Sequence, residues 1–180
     1  RLDRGFGLHG RSAEDLLTTL DESELERLLR LYGEDPNARK IARRIIERRR
    51  AAPLSTTFDL RKIIEDTVPP FVHTKTLARV FQALRIAVND ELGALEQTLE
   101  CIIPKLVPGG RIVVISSHSL EDRIVKTIFK RAALTRVPDP DNPRSSTRDI
   151  IPSLSVLTKR PIEPSDEEIT RNPRARSAKM

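Results

Sequence analysis

The sequence predicts an α/β fold in which an all-helical segment precedes part of a parallel sheet. Residues 12–72 carry helix caps and apolar residues at helical spacing, which favours a group of short helices. Residues 111–116, RIVVIS, form an apolar run without alternation, which is typical of a strand buried on both faces. A long helix leads to this strand through the PGG at 108–110, as in the crossover connections of parallel sheets.

Four helices are predicted in the helical segment. Three of them begin with the spacing of a capping box, a polar residue followed three positions later by an acidic one: Ser12 and Asp15, Asp21 and Glu24, Thr56 and Asp59. We expect Gly33 to end the second helix in a left-handed conformation. We expect Pro36 at the first position of the third helix, where its missing N–H costs no hydrogen bond.

The third predicted helix is strongly basic. Its apolar positions follow the spacing of one buried helix face: Ala38, Ile41, Ala42, Ile45 and Ile46. Its other faces carry seven basic residues: Arg39, Lys40, Arg43, Arg44, Arg48, Arg49 and Arg50. Runs of charge are usually solvated surfaces, but Glu47 is the single acid here. The excess therefore favours a surface that binds the phosphates of a nucleic acid.

The second half of the chain predicts helix, strand, helix and strand in turn. A long helix runs from about 76 to 103, with Gly93 as a point of bending. Another helix starts at Ser119 after the apolar strand, with Asp122 in the capping-box position. After this helix, residues 136–153 are rich in Pro and Asp and predict a mobile loop. Residues 154–159 predict a strand, and residues 172–180 predict the opening of a last strand.

Composition narrows the choice of partners. Of the 180 residues only 3% are aromatic and none is Trp, which argues against a surface of stacked aromatics like that of the commonest readers of single-stranded RNA. The net charge of +6 favours a polyanionic partner, although solubility alone would also explain it.

Cys101 is the single cysteine and lies in an apolar run, so we expect it to be buried in a protein of a reducing compartment. No apolar stretch reaches the ~20 residues that span a bilayer, and no set of His and Cys has metal-ligand spacing.

Polar residues in three places are candidates for binding or catalysis. Ligands of open α/β sheets bind at the carboxyl ends of strands, and Ser116, His118 and Ser119 follow the predicted strand. The alternative is that Ser119 only caps the next helix. A second group shares one face of the long helix and either lines a pocket or binds to loops: Gln82, Arg85 and Asn89. Arg174 and Arg176 near the end of the sequence either contact phosphates or border an edge strand.

Four separated blocks of the sequence, in the same order, resemble the MraW/RsmH-type S-adenosylmethionine-dependent methyltransferases. The blocks are YGEDPNARKIARRIIERRR, VFQALRIAVNDEL, PGGRIVVISSHSLEDRIVK and NPRARSAK. The likeness extends from about Leu2 to Lys179. It implies a class I (Rossmann-like) methyltransferase fold, in which 73–180 forms the later half of the sheet and 1–72 is an inserted all-helical domain that recognises RNA.

The resemblance also implies an activity. Members of this family transfer a methyl group from S-adenosylmethionine to N4 of a cytidine in the decoding region of small-subunit (16S-type) ribosomal RNA. The expected partners are this RNA or the ribosomal subunit, with a homodimer left open and no membrane. The expected location is the cytoplasm, or an organellar matrix in a eukaryote. The strand-end residues Ser116, His118 and Ser119 would then be catalytic. Gln82, Arg85 and Asn89, called the Gln82 group below, would form the wall between base and cofactor. The basic third helix would hold the RNA backbone.

The chain departs from the family pattern in three respects. The family's glycine-rich cofactor loop lies upstream of Arg1, so we expect the main S-adenosylmethionine loop to be missing and this chain alone to be inactive. Ser117 stands where the family usually has Phe, and Val80 stands where it has Thr. Two alternatives therefore stay open: a truncated, non-catalytic basic RNA-binding module, and another α/β nucleotide enzyme such as a dehydrogenase, which the four blocks disfavour.

Overall fold

Five helices form the first of two units into which the chain divides, residues 1–91 and 92–180. The structure is a computed structural model and describes residues 10–141 and 146–180. In its described part, the first unit contains α1 (Ala13–Thr19), α2 (Glu22–Gly33), α3 (Ala38–Ala51), α4 (Thr57–Thr67) and α5 (His73–Asn89). A 3-10 turn, Pro70–Val72, connects α4 to α5.

Three of these helices begin with the capping boxes that the sequence predicts. In α1 the Ser12 hydroxyl accepts a hydrogen bond from the Asp15 N–H (3.1 Å), and the Asp15 carboxylate accepts one from the Ser12 N–H (2.7 Å). The same reciprocal pairs start α2 and α4: Asp21 with Glu24, and Thr56 with Asp59. Each box satisfies N–H groups that the first turn of a helix leaves without a partner.

The end of α2 differs from the prediction. Gly33 is the last helical residue, and Glu34 takes the left-handed conformation instead, with a φ of 47°. Gly33 is required for close packing, because a Cβ at this position would lie 2.9 Å from the carbonyl oxygen of Arg79 in α5. The predicted start of the next helix at Pro36 is also wrong by two residues, since α3 begins at Ala38.

The first unit has a continuous apolar core. Helices α2 and α4 each pack on α3 and on α5. The largest apolar side chains in this core are almost fully buried: Leu17, Leu25, Leu29, Ile41, Ile45, Leu54, Leu60, Ile64 and Val80. Complete burial of one such side chain contributes about 1.5–3 kcal/mol, so the apolar stripes predicted from the sequence are the main source of this unit's stability.

The predicted long helix from 76 to 103 is two helices. Asp90 has a φ of 49° and separates α5 from α6 (Glu91–Ile102), so the break lies three residues before the predicted bend at Gly93. Helix α5 packs in the core of the first unit through residues that include Val80, Leu84 and Val88. The first compact unit therefore extends to residue 91 rather than 72, while the functional assignment of 1–72 and 73–180 stays a prediction.

The second unit has fewer regular elements. Beyond the rest of α6 it contains α7 (Ser119–Ala132), β1 (Arg136–Pro138), β2 (Thr147–Asp149) and α8 (Asp166–Arg171) in its described part. The expectation of a mobile loop over 136–153 is wrong for the described residues of that range, because β1 and β2 pair antiparallel with Arg136 opposite Asp149. The Arg136 Nε lies 2.8 Å from the Asp149 Oδ1, and this ion pair joins the two strands. Residues 142–145 lie outside the described part.

The predicted apolar strand is buried on one face only. Ile112 and Val114 pack against the cluster of Leu99, Ile103 and Ile128, whereas Val113 and Ile115 are each 68% exposed. Among the described residues, 111–115 and 154–159 form no strand, because a strand needs hydrogen-bonded neighbours along its length. Cys101 is exposed, so the prediction of its burial is wrong.

The last residues of the chain pair with two other segments, but the strand predicted over 172–180 is wrong for most of that range, because Pro173–Ser177 forms a 3-10 turn. Lys179 forms an antiparallel bridge with Ser116, in which N–H···O distances are 2.8 and 2.9 Å. Met180 exchanges two backbone hydrogen bonds with Ile162, at 2.8 and 3.0 Å. Consecutive residues of a strand direct their backbone groups to opposite sides, so residues 179–180 lie between Ser116 and Ile162.

Candidate nucleic-acid interface and strand-end site

The basic helix α3 buries its apolar stripe and leaves its charges in solvent. The N–H of Asn37, its cap residue, donates to the Asp35 carboxylate at 2.8 Å. The second oxygen of Asp35 is buried without a hydrogen-bond partner among the described residues, 3.9 Å from the Arg79 guanidinium. Six of the seven basic side chains predicted for RNA are exposed: Arg39, Lys40, Arg43, Arg44, Arg48 and Arg50.

One acid is shared by two of these arginines. Glu47 lies 3.0 Å from Arg43 and 3.1 Å from Arg44. Hydrogen bonds, first from Arg44 and then from Arg43, lower the pKa of Glu47. Exposed pairs of this kind are weak and screened by salt, so both arginines stay able to exchange Glu47 for a phosphate. With seven basic residues and one acid in the helix, α3 carries a strong positive field on its exposed side.

Arg49 has a different role from its neighbours. Its guanidinium donates to the carbonyl oxygens of Leu17 (2.9 Å) and Leu20 (2.6 Å). These carbonyls belong to the last turn of α1, which has no partner for them within the helix. Arg49 is therefore a structural contact between α3 and α1, although the sequence prediction grouped it with the phosphate-binding arginines.

The strand-end residues are organised by helix α7. His118, not Ser119, is the cap of this helix, and its Nδ1 accepts a long hydrogen bond of 3.4 Å from the Glu121 N–H. Ser119 is the first helical residue, and Asp122 forms an ion pair with Lys126 at 2.7 Å. The predicted box of Ser119 and Asp122 is thus wrong by one position.

Glu121 is the residue that sequence reasoning missed at this site. Its carboxylate accepts a hydrogen bond of 2.6 Å from the Ser117 N–H. Its other oxygen lies 3.4 Å from the His118 Nε2, which is buried and has no hydrogen bond of good geometry in the described residues. The available signal was an acid three positions after His118, but histidine is an uncommon cap residue.

Ser116 is held by the end of the chain. It is 4% exposed, and its hydroxyl lies 3.3 Å from the carbonyl oxygen of Lys179, beyond the two backbone hydrogen bonds of the bridge. Arg174 and Arg176 stand in the 3-10 turn Pro173–Ser177, and both side chains are exposed. The structure therefore brings Ser116, His118 and Ser119 to one short segment, with the hydroxyl of Ser116 and the ring of His118 both engaged in local contacts.

The three predicted wall residues bind within the first unit. The Gln82 side chain donates to the carbonyl oxygen of Tyr32 at 3.3 Å. Arg85 lies 2.9 Å from Glu91, and the Asn89 amide donates to the same carboxylate at 3.1 Å. These contacts tie α5 to α2 and close the turn at Asp90, which favours the second of the two predicted roles.

The same residues are the candidates for contact with a methyl donor. A sulfonium cofactor with a nucleoside needs acidic, amide or backbone groups free to face it. The polar groups of Gln82, Arg85 and Asn89 are already bonded inside the first unit, and the His118 ring caps α7. These four side chains therefore form no preformed site for S-adenosylmethionine.

Comparison with known proteins decides the family. The MraW methylase family matches residues 1–180. The chain belongs to this family. Proteins with the name Ribosomal RNA small subunit methyltransferase H are similar to it: one from Geobacter sulfurreducens is 48% identical over 94% of this chain, and one from Trichlorobacter lovleyi is 45% identical over all of it. The chain spans 55% and 57% of the length of these two relatives.

Family membership fixes the class of the fold. MraW methylases are class I methyltransferases, and the helices with short antiparallel pairings described above are consistent with part of that fold. In the described part of the chain, no helix combines the length and apolar character that crossing a membrane requires.

Proposed function

We propose that this protein methylates N4 of a cytidine in the decoding region of small-subunit (16S-type) ribosomal RNA, with S-adenosylmethionine as methyl donor. The observation that carries the proposal is the match of all 180 residues to a methylase family. The names of relatives that are 45–48% identical support ribosomal RNA as the substrate. The ribosomal subunit, the cytoplasm and a homodimer belong to the same proposal.

The proposal assigns RNA binding to the first unit. The exposed cations of α3 support this role, because Lys and Arg side chains gain free energy when they displace counterions from phosphates. A base that is methylated on its exocyclic nitrogen must also leave its stack, so the enzyme needs an extended hold on the flanking backbone. The helical segment 1–72 would provide that hold as the recognition domain, with Arg174 and Arg176 as further phosphate contacts.

The proposal assigns positioning of the base to the strand end of the second unit. The amine of cytosine is a poor nucleophile because its lone pair is delocalised, so an enzyme must accept its hydrogens and fix its direction. Ser116, His118 and Ser119 supply hydroxyl and ring groups of the right type on one short segment. Glu121 would hold that segment through its hydrogen bond with the Ser117 N–H.

The activity is tested on the protein as its gene encodes it. Unmethylated small subunits are incubated with this protein and S-adenosylmethionine, and N4-methylcytidine is measured by mass spectrometry of the RNA. We expect one methylated cytidine, and we expect His118→Ala to lower the rate by at least about tenfold. Full activity of His118→Ala would contradict the site assignment, and absence of methylated cytidine with the unaltered protein would contradict the function.

The RNA surface is tested separately with this chain. Arg39→Glu with Lys40→Glu should weaken binding to an RNA oligonucleotide and reduce the slope of log K against log salt by about 1 for each lost contact. Arg27→Glu with Arg30→Glu, on exposed positions of α2, makes the same change of charge and serves as the matched control. Equal losses in both variants would show a general effect of net charge and contradict a specific surface on α3.

A second candidate function is RNA binding without methyl transfer. It is favoured by the local contacts of Gln82, Arg85 and Asn89, each of which has a protein partner in the first unit. Calorimetric titration of the protein as its gene encodes it with S-adenosylmethionine separates the two candidates, because this chain by itself is expected to lack the main cofactor loop. RNA binding together with no cofactor binding supports the second candidate, and measurable cofactor binding excludes it.

A further inference from the structure

One aromatic ring on the helical unit is far more exposed than packing requires. Phe58, the second residue of α4, is 74% exposed. Tyr32 and Phe81 pack against the core of the same unit, and Phe129 packs in the second unit. Within the described residues, Phe71 is the other aromatic side chain left in solvent, at 87% exposure.

Two exposed cations share a helix face with Phe58. Arg61 and Lys62 follow it by three and four residues, so all three lie on one face of α4, and both cations are exposed. Arg61 forms an exposed pair with Glu65 at 2.7 Å. The pKa of Asp59 is lowered mainly by hydrogen bonds from Thr56 and also by the charge of Arg48 in α3.

Helix α4, which carries the ring, is a direct neighbour of the basic helix α3. Arg48 is close enough to act on Asp59, the residue next to Phe58, and α3 packs directly against α4. The ring is therefore bordered by Arg61 and Lys62 on its own helix, which packs against the basic helix α3. A single ring among charged residues differs from the contiguous apolar patch of a protein–protein interface.

We propose that Phe58, with Arg61 and Lys62, forms a docking surface for single-stranded RNA in which the ring stacks on one unpaired base. The surface rests on the proposed function of the helical unit in RNA binding and adds a base contact to its phosphate contacts. Stacking on an aromatic ring accepts any base, because each base has a π face, and the flanking cations hold the backbone on either side. The low aromatic content of the chain does not oppose this surface, since one exposed ring is sufficient.

The absence of Trp from the sequence allows a direct test. Phe58→Trp places a single indole at the proposed surface, and Phe71→Trp places one at an equally exposed control position with no Arg or Lys within three residues on either side. Each variant is titrated with a single-stranded RNA oligonucleotide and with an abasic oligomer of the same length. We expect the fluorescence of Phe58→Trp to be quenched by the RNA alone, and that of Phe71→Trp to change little with either.

Affinity provides the second readout. Phe58→Leu keeps apolar bulk but removes the π face, and we expect it to weaken RNA binding about tenfold with an unchanged salt slope. Lys62→Glu, at an exposed position on the same helix face, should instead lower the salt slope. Quenching of both Trp variants alike, quenching by the abasic oligomer, or full RNA affinity of Phe58→Leu would each overturn the proposal.

The test also separates this surface from the proposed function. If the chain binds RNA through α3 while Phe58→Trp is not quenched, the stacking surface is wrong and the RNA-binding function stands. If the chain binds no RNA, both are wrong. If Phe58→Trp responds only to an added protein partner, the exposed ring serves a protein interface and the proposal is overturned.

Discussion

The two units differ in how completely they bury their apolar residues. In the first unit Leu29 and Ile45 are at most 1% exposed, whereas in the second Val113 and Ile115 are each 68% exposed. A helix satisfies its backbone hydrogen bonds within itself, so helices close in sequence can complete a core together. An extended segment satisfies its backbone only through neighbouring strands. The local sequence therefore determines more of the structure of the first unit than of the second.

The largest effect expected from this difference is the loss of stability when a buried side chain is shortened. Ile45→Ala should lower the free energy of unfolding of the helical unit by about 2–5 kcal/mol, because it leaves a cavity where the side chain is fully buried. Ile115→Ala, which removes the same atoms from an exposed site, should change stability by less than about 0.5 kcal/mol. Urea denaturation followed by circular dichroism measures both, and similar losses would remove the contrast between the units.

Close packing of α2 against α5 gives the next largest effect. Gly33→Ala should lower the free energy of unfolding by about 1–3 kcal/mol, since the new Cβ would meet a backbone oxygen at 2.9 Å. Leu31→Ala on the same helix is the control, because Leu31 is 51% exposed. If Gly33→Ala unfolds at the same urea concentration as the unaltered chain, the approach of the two helices is looser than described.

Two adjacent arginines of α3 should separate stability from binding. Arg49→Ala should lower the free energy of unfolding by about 1–3 kcal/mol, because it leaves the carbonyls of Leu17 and Leu20 without their charged donor. Arg50→Ala should leave stability unchanged and lower the salt slope of RNA binding by about 1. Denaturation and RNA titration of both variants are the measurements, and the reverse pattern would contradict the roles assigned here.

The smallest effect concerns pH and the helix caps. Hydrogen bonds from the Ser12 and Glu24 N–H groups and from the Thr56 hydroxyl are the main causes that lower the pKa values of Asp15, Asp21 and Asp59. Their stabilisation is complete above the unfolded value, about 3.9, and is lost as pH falls through the lower folded values. Denaturation of the helical unit between pH 6 and pH 2 should therefore show a loss of stability that begins near about pH 4. Replacing the three aspartates with Asn should reduce that loss, and an unchanged pH dependence in this variant would contradict the prediction.

Several features of the fold follow from short stretches of sequence. The capping boxes of α1, α2 and α4 and the apolar stripe of α3 depend on residues within one or two helical turns, and the structure confirms them. These predictions succeeded because spacing along the chain fixes which groups meet.

The candidate site was predictable only in part. The sequence identified the segment from Ser116 to Ser119, but it placed the cap one residue late and missed Glu121, because Glu121 and Asp122 stand side by side. It also grouped Arg49 with the exposed arginines, since a run of arginines gives no sign of which one faces α1. Partners 29 and 32 residues apart are set by packing, not by spacing.

By itself the sequence determined the family, the helices of the first unit and the positive charge of α3, since each depends on residue identity or local spacing. Only the tertiary structure decided which groups are free to act. Packing assigned Arg49 to α1, bound the Gln82 group inside the first unit and left Phe58 in solvent. The physical reason is that exposure and partnership are properties of neighbours in space, and residues far apart in the sequence become neighbours only when the helices pack.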